Sequence, residues 1–243
     1  MAGHSKWKNI QRTKGAADSK RAKVFTKIAR EITVAVKEGG SGDPSKNSRL
    51  AASIAKAKSA NMPNDNVKRT IEKALGSGSS DNYERVTYEG YGPRGVAVIV
   101  EAMTDNRNRI AAEIRLLFDK YGGNLGTTGC VSWSFDRKGV IVIDNEAGKL
   151  DEETVLNDAL EAGADDIETD DGVFEVYTPP DAFISVSGAL ESGNYTFLSA
   201  QIGLVPQNYV TLSDEPDIKN FEKMLELMDD NDDVQDVWHN AVI

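Results

Sequence analysis

The sequence predicts an α+β protein of several domains: a three-helix N-terminal domain followed by two α+β (ferredoxin-like) domains, one inserted into the other. Three observations carry this expectation. Charge divides the chain, because Met1–Leu75 holds 12 Lys and 5 Arg against 3 Asp and 3 Glu, net +11, whereas the other 168 residues carry 11 basic and 33 acidic side chains, net −22. Apolar residues recur at helical spacing before the stretch GSGSSDN and in strand-like runs after it. Beyond that stretch the elements read ββα, then ββαββαβ, then βαβ, and the middle block contains the ferredoxin-like order βαββαβ.

The first helix is predicted from Ala16–Asp18 to Lys37, stopped by Gly39–Gly40. Phe25, Ile28, Ala29, Ile32 and Val36 form one apolar stripe; Lys20, Lys23, Lys27 and Arg30 centre near the opposite face. A second helix runs from Pro44 or Ser45 to Ser59, with Asp43 as its cap and Leu50 and Ile54 as an apolar pair. The third spans Pro63–Asn64 to Gly76, with Val67, Ile71 and Leu75 on one stripe. Residues 1–75 are thus read as a basic helical domain and 76–82 as a linker.

Residues 83–130 plus 206–243 are expected to form a discontinuous α+β domain, interrupted by an inserted one at 131–205. Strands are placed at Val86–Glu89 and Val96–Ala102, then a helix capped by Thr104–Asp105 and bearing Ile110, Ile114 and Leu117. In the insert, Val131–Phe135 and Val140–Asp144 read as a hairpin across Asp136–Gly139, followed by a helix at Leu150–Ala162. Strands at Asp166–Glu168 and Val173–Tyr177, a helix at Pro179–Glu191 and a strand at Thr196–Ile202 complete it. The chain closes with a strand at Tyr209–Leu212, a helix at Pro216–Met228 and a strand at Val234–Asn240.

Several functional classes are disfavoured. A lone cysteine, Cys130, excludes an internal disulfide framework, agrees with a reducing compartment and reads as a small buried residue. No apolar run approaches the roughly 20 residues that span a bilayer, and MAGHSKWKN has no secretory core, so a cytoplasmic protein without a membrane partner is expected. Gly90-Tyr91-Gly92-Pro93-Arg94-Gly95 matches G-x-G-x-x-G but opens into a strand instead of a helix, the wrong context for a dinucleotide. Asp229–Asp233 starts like a calcium loop but places Val234 and Asn240 where glycine and glutamate are needed, and reads as a solvated acidic turn. His4 and His239 are the only histidines, so no zinc spacing arises, and no nucleophile has a base partner. The expectation is a non-enzyme without cofactor or metal.

Two basic features point to a partner instead. Lys6, Lys8, Arg12 and Lys14 in the arm join Lys20, Arg21, Lys23, Lys27 and Arg30 on the first helix as candidate contacts to nucleic-acid phosphates. Arg107 and Arg109 stand at a helix start, where cations oppose the helix dipole; a phosphate held by both arginines and the backbone N–H groups would offset that. A salt bridge within the acidic body is the alternative there.

Gly3-His4-Ser5-Lys6-Trp7, Lys23-Val24-Phe25-Thr26-Lys27, Ala60-Asn61-Met62-Pro63, Tyr88-Glu89-Gly90-Tyr91-Gly92-Pro93, Thr104-Asp105-Asn106-Arg107-Asn108-Arg109 and Gly122-Gly123-Asn124-Leu125-Gly126 closely resemble, in order, motifs of the YebC/PmpR family. The resemblance runs from Met1 to Ile243, with Arg94 standing where many members have glycine. It implies three domains, a cytoplasmic location and no catalytic activity. Bacterial members are described as DNA-binding transcriptional regulators; mitochondrial and some bacterial members look like translation factors acting at the ribosome. The resulting expectation is a nucleic-acid-binding regulator of gene expression resembling DNA-binding transcriptional regulators, with double-stranded DNA or ribosomal RNA as partner. The alternatives are a ribosome-associated translation factor on ribosomal RNA and a protein–protein adaptor. A lysine-rich face grips phosphate as point charges and carries no base code, so it does not choose among polyanions.

Overall fold

A computed structural model describes residues 18–76, 83–145, 148–170 and 172–243. These fall into two compact units, one drawn from Met1–Leu75 and Arg137–Gly203, the other from Gly76–Asp136 and Leu204–Ile243. The arm residues Lys6, Lys8, Arg12 and Lys14 lie outside the described residues, as does most of the linker.

The first unit begins with three helices, α1 (Asp18–Gly39), α2 (Ser48–Ser59) and α3 (Asn64–Leu75). Ile28, Ile32, Ala35 and Val36 of α1 meet Leu50 and Ala57 of α2 and Val67 and Ala74 of α3 in one core, with Phe25, Ala29, Ile54 and Ile71 packed at its edge. The apolar stripe on α1 was therefore legible from its spacing. Two details differ. Helix α2 starts three residues later than Pro44–Ser45, because Asp43 closes its own turn onto Ser45 while Asn47 caps the helix. Ala74 occupies the core position expected of Leu75, which is 56% exposed.

The same unit contains the sheet β5-β6-β4-β7, made from β4 (Phe135–Asp144), β5 (Asp166–Asp170), β6 (Val173–Thr178) and β7 (Phe197–Pro206). With α5 (Glu152–Ala162) between β4 and β5, and α6 (Phe183–Ser192) between β6 and β7, the order is the expected βαββαβ. Ile141, Ile143, Phe174 and Val176 of the sheet bury against Val155 and Ala159 of α5 and Phe183, Val186 and Leu190 of α6. The hairpin expected across Asp136–Gly139 is absent. β4 runs unbroken through those residues, and Ser132–Ser134 form a 3-10 turn before it. Gly139 sits inside the strand because a Cβ there would lie 2.2 Å from Thr178 Oγ1 and 2.7 Å from Phe183. Close packing, not a turn, explains that glycine.

The second unit is built on the sheet β3-β1-β2-β9, with β1 (Glu84–Tyr91), β2 (Ala97–Thr104), β3 (Asn124–Leu125) and β9 (Val234–His239). Helices α4 (Arg107–Lys120) and α7 (Glu215–Asp230) cover one face, where Val98, Val100 and Ala102 meet Ile110, Ile114, Phe118, Phe221, Met224 and Met228. The other face of β2, Ala97 and Ile99, packs against Val131, Phe135 and Trp238. This double burial explains why β2 reads as a continuous apolar run. β8 (Val210–Thr211) and β10 (Ala241–Val242) add a small parallel pair. Strands as short as β3 and β10 lie below the length at which periodicity is visible.

His239 at the end of β9 stacks edge-on against Phe221, with ring centroids 5.1 Å apart, and its Nδ1 accepts from the Ala241 N–H at 3.2 Å. Burial lowers its pKa from 6.5 to about 4. Above pH 6.5 the ring is neutral whether the chain is folded or not. Between 6.5 and about 4 the unfolded chain takes up a proton that the folded one refuses, so stability falls as pH falls, by roughly 2 to 3 kcal/mol. Urea melts across that window should show this slope, and His239→Asn, which keeps an acceptor near Nδ1, should flatten it. An unchanged slope would remove His239 as its source.

Candidate nucleic-acid interface

The helical domain's basic face is set by how α1 is held. Asn47 is 5% exposed; its side-chain oxygen accepts from the Leu50 N–H at 3.1 Å, and its Nδ2 donates to the carbonyls of Ala35 at 2.8 Å and Ser41 at 3.0 Å. One side chain thus caps α2 and ties it to the end of α1. Lys56 of α2 donates to Glu31 of α1 at 3.0 Å, with both side chains largely buried, and Arg49 pairs with Glu38 nearer the surface. These pairs direct four of the domain's charges to holding helices together.

Lys23, Lys27 and Arg30 are half-buried, and each takes part in further interactions. Val34, one turn beyond Arg30 on the same face, is only 3% exposed, and Glu31 is 9% exposed. The cationic face read from helical angles is therefore bare only in part: toward its C-terminal half, α1 is buried nearly all round. Lys20 and Arg21 belong to the first turn of α1. Further exposed cations come from the other helices, among them Lys58 at the end of α2 and Lys68 and Arg69 on α3. The sequence reading passed over them. Their signal was present, since Lys68 and Arg69 lie off the stripe formed by Val67, Ile71 and Ala74.

Arg107 and Arg109 belong to the second unit. Asn106, not Thr104–Asp105, caps α4, its side chain accepting from the Arg109 N–H at 3.1 Å. Thr104 has another role: its hydroxyl accepts from the Asn106 N–H at 3.0 Å and donates to Asp233 at 2.8 Å. The Arg109 guanidinium donates to Asp233 at 2.5 Å and to Asp105 at 2.9 Å, and those two hydrogen-bonded carboxylates push its pKa further up. Asp233, expected in a solvated turn, is 6% exposed and is the buried end of this cluster. Arg107 faces Glu84 at 3.6 Å with both side chains exposed. Of the two arginines, Arg107 is the more available and Arg109 the more committed to the fold.

The G-x-G-x-x-G stretch lies between antiparallel β1 and β2, where Pro93–Gly95 form a single 3-10 turn and the chain runs on into a strand instead of an α-helix. Arg94 adopts φ 55°, and its guanidinium spans Asp217 at 2.6 Å and Asp214 at 2.5 Å, at the start of α7. Cys130 is half-buried and not fully buried as expected; burial and the nearby Glu89 charge raise its pKa.

The model of the TACO1/YebC second and third domain matches residues 83–241, and that of the TACO1/YebC protein N-terminal domain matches residues 5–77. The chain belongs to the TACO1/YebC family. Family relatives include a "probable transcriptional regulatory protein" of a Geobacillus species, 55% identical over 240 residues covering 99% of this chain and 97% of the relative. Another protein of that description, from Listeria innocua, is 53% identical over 243 residues covering the whole of both chains. The crystal structure of a conserved hypothetical protein from Aquifex aeolicus superimposes with a TM-score of 0.82 at 42% identity, covering 93% of this chain and 92% of that one. The α+β, multidomain architecture is thus shared with a solved structure.

Proposed function

We propose that this chain is a nucleic-acid-binding regulator of gene expression that grips a phosphate backbone through its N-terminal helical domain. The observation carrying this reading is the charge division, +11 on Met1–Leu75 against −22 on the remainder. Phosphates approach the helical domain and are repelled by the rest. The naming of family relatives as regulators supports the regulatory half of the proposal. Lys58, Lys68 and Arg69 join Lys6, Lys8, Arg12, Lys14, Lys20, Arg21, Lys23, Lys27 and Arg30 as the contacts, and Arg107 is a second, smaller one. No step of catalysis and no cofactor enters this reading.

The test is a salt titration of the full chain on labelled duplex DNA and on structured RNA. Affinity on duplex DNA should fall with a log–log slope of about −0.9 per neutralised phosphate. The triple variant Lys58→Glu, Lys68→Glu, Arg69→Glu should bind more weakly with a shallower slope. Salt-independent binding, or a slope unmoved by the reversal, would overturn the proposal. Sequencing the nucleic acid crosslinked to the protein in cells then separates its two forms: enriched promoter DNA makes it a transcriptional regulator, and ribosomal RNA makes it a translation factor.

A further inference from the structure

The stretch from Tyr121 to Phe135 contains no charged residue, in a chain that is 28% charged. Within it, Asn124, Gly126, Thr127, Thr128, Gly129, Ser132 and Trp133 are exposed. Trp133 is 69% exposed, more than any other large apolar side chain among the described residues. The loop is nonetheless fastened from beneath. Glu89, 4% exposed, accepts from the backbone N–H groups of Gly129 at 2.8 Å, Val131 at 3.0 Å and Ser132 at 2.8 Å, and Val131 is fully buried in the sheet's second core.

The indole is held as firmly as the loop. Its Nε1–H donates to the Cys130 carbonyl at 2.9 Å, and the hydroxyl of Tyr91, itself 39% exposed, donates to the same carbonyl at 3.1 Å. Two aromatic rings are thus gathered at one oxygen with their polar ends used. A tryptophan that anchors a protein interface sits in a well-packed patch ringed by contacts that exclude water. The residues flanking Trp133 in sequence, Ser132 and Ser134, are small, uncharged and polar instead. What the indole still offers is its π face, on a stretch that contributes no charged side chain of its own and whose nearby carboxylate, Glu89, is buried and occupied by three backbone N–H groups.

We infer that Trp133, with Tyr91 beside it, is a stacking platform for an unpaired nucleobase. The inference rests on the nucleic-acid reading above and adds a second mode of contact to it: the helical domain holds backbone, and the neutral loop takes a base. Stacking needs a π face and tolerates any base, so the site reads single-strandedness rather than sequence.

The full chain and its Trp133→Ala, Trp133→Phe and Trp133→Tyr variants are titrated against an RNA stem-loop with an unpaired loop and against a fully paired duplex, with circular dichroism to establish folding. Trp133→Ala should weaken stem-loop binding about tenfold, and leave duplex affinity and the salt slope unchanged. Trp133→Phe and Trp133→Tyr, which keep a π face, should recover most of the loss. Ultraviolet crosslinking followed by mass spectrometry should place the nucleotide within Tyr121–Phe135. Equal stem-loop affinity for wild type and Trp133→Ala would overturn the platform while leaving the backbone-binding function intact, and would turn Trp133 into a protein contact. Equal losses on stem-loop and duplex would overturn it too, by showing a general effect. Binding to neither probe by the wild type would overturn both readings together.

Discussion

Glu89→Ala is expected to lower the unfolding free energy by roughly 3 to 5 kcal/mol, because three backbone N–H groups lose their only side-chain acceptor and each unsatisfied buried donor costs about 1 to 3 kcal/mol. The lower part of the summed range is the better guide, since Gly129 and Ser132 lie in exposed backbone and water can reach them. Burial alone would raise the Glu89 pKa; the N–H groups of Gly129, Val131 and Ser132 outweigh it, so the net shift is downward. A depressed carboxylate stabilises the fold above the unfolded value of 4.5 and loses that contribution as pH falls through its folded value. The acid sensitivity from Glu89 thus begins near pH 4.5, at the lower end of the window assigned to His239, so the slope above pH 4.5 reports His239 without Glu89. Urea midpoints should fall sharply for Glu89→Ala, and amide exchange should accelerate most between Gly126 and Ser134. A change under about 1 kcal/mol would mean that the loop is held by Val131 burial alone.

Asn47→Ala should destabilise the helical domain by roughly 3 kcal/mol: about 1 for the lost cap of α2, and the rest for leaving the carbonyls of Ala35 and Ser41 without the Nδ2 donor. Asn47→Asp separates these parts. Aspartate keeps the acceptor for the Leu50 N–H and brings a carboxylate up to two carbonyls, so it should retain the cap and still lose the bridge between α1 and α2. The unfolding transition of each full-length variant is the measurement. Equal stability of Asn47→Ala and wild type would show that solvent satisfies those carbonyls. The backbone of Gly39 belongs to the same joint: a Cβ there would lie 2.3 Å from Asn47 Nδ2, so any side chain at Gly39 displaces the amide.

The difference between these two sites explains how much could be read in advance. Asn47 was passed over because Asp43-Pro44 carries the stronger local cap signature, and only the packing of α2 on α1 reveals that Asp43 closes a separate turn. Glu89 gave no signal at all. It sits in a strand next to residues that drew attention as a glycine motif, and its partners are about 40 positions away in the chain. Arg109 was legible as an oddity, a cation at a helix start. Its resolution needed Asp233, which the sequence places in a run of acids that looked solvated. Trp133 was assigned to a strand, because Val131–Phe135 has the right composition; the 3-10 turn at Ser132–Ser134 that lifts the indole into solvent follows from Glu89 holding the backbone.

By itself, the sequence determined the charge division between Met1–Leu75 and the remainder, the apolar stripe of α1, the doubly buried run of β2 and the βαββαβ order of the insert. All of these are local or additive properties: charge sums along a chain, and periodicity needs only neighbouring residues. The tertiary structure alone decided which carboxylate takes which cation, which side chain caps α2, and that the neutral loop is fastened to Glu89 with Trp133 outward. Each of those depends on groups far apart in sequence meeting at hydrogen-bonding distance, and the free energy that selects them arises only when burial removes water as the competing partner.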